Sequence, residues 1–124
     1  MSKLDGILES INDALEEFKL PVYYGISFCK PNDEWNYFVF NRDNINKSGK
    51  SVTDFNYKYQ VHIIQENFIP EGFEMEVIKK ITEKTRLKLV DQPHQFNYVR
   101  KNNTDMVVEM LTLEFTKTFK GCDI

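Results

Sequence analysis

The sequence predicts an α+β domain: a mostly antiparallel sheet with two helices, in the order α-β-β-β-α-β-β. Three observations point there. Two segments place apolar residues at spacings of three and four, the signature of one helix face. Several others alternate apolar and polar residues with period two, as strands with one dry face do. No Gly-rich turn joins a strand to a helix and no βαβ pattern repeats, which argues against a doubly wound nucleotide fold.

The first helix is expected over residues 3–19. Leu4, Ile7, Leu8, Ile11, Leu15 and Phe18 form its stripe, Ser2 and Asp5 stand in capping-box positions, and Pro21 ends it. Val22 to Cys29 is rich in β-branched and aromatic residues, and Lys30-Pro31-Asn32-Asp33 is a turn. Trp35 to Phe40 then reads as the return strand of a hairpin. Asn41 to Thr53 is polar, with only Ile45 and Val52 apolar, and is expected to be a long loop of roughly thirteen residues. From Phe55 to Gln65, Phe55, Tyr57, Tyr59, Val61 and Ile63 alternate with Asn56, Lys58, Gln60 and His62, a third strand.

Pro70 opens the second helix, where its missing N–H costs nothing. Glu71, Glu74 and Glu76 lie in its first turns and Lys79, Lys80, Lys84 and Arg86 in its last, both favourable to the helix dipole. Phe73, Val77, Ile78 and Ile81 supply its buried stripe. Leu87 to Val90 can start a short strand. Gln95 to Arg100 is a further strand, Lys101 to Asp105 a polar turn, and Met106 to Phe119 a long final strand. On that strand Leu111, Leu113, Phe115 and Phe119 oppose a ladder of Thr112, Glu114, Thr116 and Thr118.

Length sets the frame: 124 residues make a single domain, residues 1–124, able to bury a core without metal or disulfide. A net charge of −3 and a pI near 5.4 oppose general nucleic-acid binding, since a phosphate backbone is held by clustered Lys and Arg, and no sequence-specific nucleic-acid partner is expected. No apolar run is long enough to span a membrane, and the start of the chain has no secretion signal. Cys29 and Cys122 lack CxxC or Cys/His spacing, and read as reduced thiols.

Chemistry-bearing motifs are scarce, so no enzyme, cofactor or metal site is expected. His62 and His94 have no HxH or HExxH spacing, and no serine sits in a GxSxG elbow. Gly49-Lys50-Ser51 matches only the end of a P-loop, since Asn44 stands where the first glycine belongs. A site formed by residues distant in sequence would centre on His62 and Glu66.

Two features instead point to protein binding. A small sheet covered by helices has one dry face to offer, yet the strands carry aromatics on both, so some rings are expected to meet another chain. The polar 41–53 segment brings basic residues to an acidic protein and suits an acidic neighbour or a second copy. The candidate interface residues are Trp35, Tyr37, Arg42, Lys47, Lys50, Tyr57 and Tyr59.

The amphipathic start Leu4–Phe18, the segment Tyr23–Phe40, the alternating strand Tyr57–Ile64 leading into the helix Glu71–Lys84, and the long strand Val107–Phe119 together resemble the tail-terminator or tail-completion proteins of long-tailed bacteriophages. That resemblance implies a ring of about six subunits that caps the tail tube and joins it to the head connector. It also implies assembly in the host cytoplasm, incorporation into the virion, and a lumen whose acidic walls would let DNA pass without binding it. The composition equally suits a small acidic binding module, such as a toxin-immunity protein.

Overall fold

The computed structural model describes residues 6–47, 49 and 53–119. Two helices lie on one face of a six-stranded sheet, the α+β arrangement expected. The elements are α1 (Ile7–Glu16), β1 (Val22–Tyr24), β2 (Tyr37–Lys47), β3 (Phe55–Glu66), α2 (Phe73–Thr85), β4 (Lys88–Leu89), β5 (Phe96–Arg100) and β6 (Val107–Phe119). The sheet runs β1-β2-β3-β6-β4, and β5 pairs with a different stretch of β6 on the same side as β4.

α1 is shorter than the 3–19 stripe. Gly6 precedes it with φ 82°, and Lys19 closes the turns after it with φ 62°; the expected caps Ser2 and Asp5 lie outside the described residues. α2 likewise follows a left-handed glycine, Gly72 at φ 89°, so the helix begins two residues after the turn at Pro70–Glu71. Its last turn carries Lys84, and Arg86 ends it at φ 64°.

Every second residue of the central strands points at the helices. Phe38 and Phe40 from β2, Tyr59, Val61 and Ile63 from β3, and Leu111, Leu113 and Phe115 from β6 meet Ile11, Leu15, Val77 and Ile81. Phe18, Phe38 and Phe73 close one end, with Phe18 edge-on to Phe73 at 5.3 Å between ring centres. β6 is the long final strand, and β3 pairs with it along its whole length.

Two expectations are corrected. The segments at Val22 and Trp35–Phe40 do not form a hairpin: β1 has three residues and runs parallel to β2, with Val22 opposite Phe38 and Tyr24 opposite Phe40. A parallel return needs a crossover of about a dozen residues, and the segment 25–36 supplies it. The polar segment 41–53 is not one long loop. β2 continues to Lys47, paired as Arg42–Tyr59, Ile45–Tyr57 and Lys47–Phe55 across a bulge between Arg42 and Asn44. Ladder bonds to β3 hold this half of β2, not burial, because residues 42–47 are exposed.

Candidate interaction surface

The face of the sheet turned away from the helices is half dry and half wet. At one end Val39, Ile64 and Val108 form a second small core, with Tyr23, Trp35, Tyr37 and Met110 packed around it. The crossover 25–36 covers this end. Glu66 fastens it there: its carboxylate accepts the Trp35 backbone N–H at 2.8 Å and pairs with Lys101, both side chains being only 13–14 % exposed. Lys101 also donates to the Asp33 carbonyl and stands 5.8 Å from the centre of the Trp35 ring. The Lys101 pair and the Trp35 N–H hold the Glu66 carboxyl below its usual range.

At the other end a polar ladder crosses three strands. His62 Nε2 lies 2.8 Å from Asn41 Oδ1 and Nδ1 lies 2.8 Å from Thr112 Oγ1. Asn41 donates to Gln60 at 3.1 Å, and Gln60 to Glu114 at 3.3 Å. Burial lowers the His62 pKa, opposed in part by the charge of Asp43. Both ring nitrogens are occupied by neutral groups. Glu66, four residues along the same strand, is roughly 13 Å distant and committed to Lys101. These two residues therefore share no acid–base contact. No group of three or more His, Cys, Asp or Glu among the described residues could hold a metal ion.

The candidate interface residues divide. Tyr59 is only 3 % exposed and belongs to the main core, so its ring is not a surface group. Tyr57 packs edge-on against Phe119 at 5.1 Å. Trp35 and Tyr37 are half-buried in the second core; rings on both faces of β2 are thus accounted for by a sheet covered on both sides at that end. Arg42 and Lys47 are exposed on the outer half of β2, Arg42 donating to the Tyr24 hydroxyl at 3.2 Å. Lys50 lies outside the described residues.

The structure adds a surface the spacing did not reveal. All five residues of β5 are exposed, among them Phe96, Tyr98 and Val99. Phe96 and the exposed Phe68 line a cleft of about 300 Å³ with Ile69, Glu71, Glu74 and Glu109, and among the described residues no basic one lines it. Glu109, 9 % exposed at its floor, accepts the Ile69 N–H at 2.7 Å and the Tyr98 hydroxyl, a bond that raises the Tyr98 pKa. The alternation of Phe96, Asn97, Tyr98 and Val99 marks a strand, but not that its outer side lacks a neighbour.

Backbone parity shows which groups of the two sheet edges are open. Lys101 donates to the Met106 carbonyl and Gln95 accepts from Thr112, so the odd residues of β5 bond to β6. Phe96, Tyr98 and Arg100 therefore aim their N–H and C=O groups outward. On β2, β1 reaches only to Phe40; beyond it the bulge shifts the parity, and Ile45 and Lys47 face outward. Scans of protein-family models and of curated proteins find no match to the chain.

Proposed function

We propose that the protein is a non-catalytic structural subunit of the phage tail-completion type. In this reading about six copies close a ring that caps the tail tube and meets the head connector, first in the host cytoplasm and then in the virion. One observation carries it: among the described residues no further strand pairs with either lateral edge of the sheet, and one edge bears exposed Phe96, Tyr98 and Val99 beside Phe68. Proteins that act as monomers blunt such edges with charges, prolines or covering loops. An edge left open, apolar and continuous with a cleft suits a surface that another chain completes. The acidic cleft also favours a second reading, a small module that holds one basic partner such as a toxin.

Light scattering after size-exclusion chromatography, over a range of concentration and salt, tests the choice. The expected result is a closed species of about six times the 14.7 kDa chain. A monomer or dimer that does not grow at the highest concentration overturns the ring and moves the assignment to the binding module.

A further inference from the structure

We propose that the outer half of β2 from one copy adds as a strand to β5 of the next, joining the sheets head to tail; this rests on the ring reading and names its contact. The two edges match in four respects. Both are open, with outward backbone groups at Ile45 and Lys47 on one and at Phe96, Tyr98 and Arg100 on the other. Both present the side chains of these residues on the helix-bearing face, since Ile45 and Lys47 sit opposite Tyr57 and Phe55, and Phe96 and Tyr98 opposite Leu111 and Glu109.

Direction matches as well. Within one chain β2 runs antiparallel to β3, β3 to β6 and β6 to β5, so β2 and β5 point in opposite directions. Copies placed side by side in a common orientation, helices on one side, thus bring the two edges together as an antiparallel pair. With Ile45 opposite Tyr98, outward groups meet outward groups, and Lys47 falls opposite Phe96.

Charge is the fourth match. That position sets the Lys47 ammonium over the cleft of Glu71, Glu74 and Glu109, while Ile45 covers the Tyr98 ring. The contact is heterologous, using two different surfaces, so it propagates until it closes. β5 pairing with β5 about Tyr98 would set Arg100 opposite Phe96, but it would close as a dimer and leave the outward groups of Ile45 and Lys47 unused.

Proline variants test the contact, because a proline on an outward-facing N–H is tolerated in an edge strand but blocks an added one. Tyr98→Pro removes one edge and Ile45→Pro the other. Each alone is expected to be a monomer with the circular dichroism of the parent chain. Mixed in equal amounts they should form a one-to-one dimer and nothing larger, since only one intact pair of edges remains. Surface charge supplies a second route that does not strain the backbone: Lys47→Glu should weaken assembly about tenfold, and Glu74→Lys on the same chain should restore it.

A ring from the parent chain that persists in both proline variants, or charge variants that assemble as the parent does, overturns the edge contact and leaves the ring reading standing. Tyr98→Pro monomeric beside Ile45→Pro dimeric overturns it in favour of β5 pairing with itself. A parent chain that stays monomeric overturns both.

Discussion

His62 shows how a residue that looks catalytic can be structural. Its ring is held between Asn41 and Thr112 inside a polar ladder, and burial disfavours its charged form. Because the folded-state pKa lies below the unfolded value near 6.5, its contribution to stability is complete above that pH. It is lost as pH falls through the folded pKa, the unfolded chain taking up the proton first. The midpoint of urea unfolding should therefore drop as pH falls below about 6.5, and His62→Gln should flatten that part of the profile. Glu66 acts in a lower window. Its carboxyl is held below the usual range, so what it contributes is present above about pH 4.3 and lost as pH falls through its folded pKa. In the core, Phe115 is fully buried on the central strand, and Phe115→Ala should cost about 3–5 kcal/mol by the same unfolding measurement.

At the scale of elements, legibility follows what each element buries. β3 and β6 alternate cleanly because one face of each meets the helices, and their limits were readable to within a residue or two. The outer half of β2 was not readable as a strand. Both its faces are wet, so it has no hydrophobic period, and only the ladder to β3 defines it. Parallel pairing of β1 was equally hidden. A turn signal at Lys30–Asp33 suggests a hairpin, whereas contacts from Glu66 and Lys101, far along the chain, pin the crossover. Of the interface candidates, Arg42 and Lys47 lie on the proposed contact strand, Tyr59 went to the core, and the β5 edge was missed because composition does not distinguish an edge from an interior strand. The crossover should be sensitive to its clasp: Lys101→Met should destabilise the fold by about 1–3 kcal/mol and speed amide exchange across residues 25–36 more than in β3. Unchanged exchange there would show that Trp35 and Tyr37 hold the segment unaided.

For the whole molecule, register sets the shape of any assembly made through the two edges. Tyr98 lies level with Gln65 on β3, while Ile45 lies level with Tyr57. The edges are thus offset by about eight residues along the sheet, roughly 27 Å, against about 19 Å for the four-strand repeat of β2, β3, β6 and β5 that separates one copy from the next. A closed ring accommodates that step only if its strands lie nearer to the ring plane than to its axis. Electron-microscopy class averages should show this inclination, and strands running along the axis would exclude the proposed register.

β6 follows the other described strands in the chain yet is central in the sheet, paired with β3, β4 and β5. During synthesis the apolar side of β3 therefore emerges more than forty residues before its partner strand does. Until then Phe55–Ile64 is paired only with β2 and presents its other edge unpaired, and closure onto β6 spans a long loop, which makes folding slow and early aggregation a hazard. Nascent chains halted before Val107 should be held by chaperones or lost to proteases, and yield in the cell should rise at low temperature more than the stability of the finished fold alone would require.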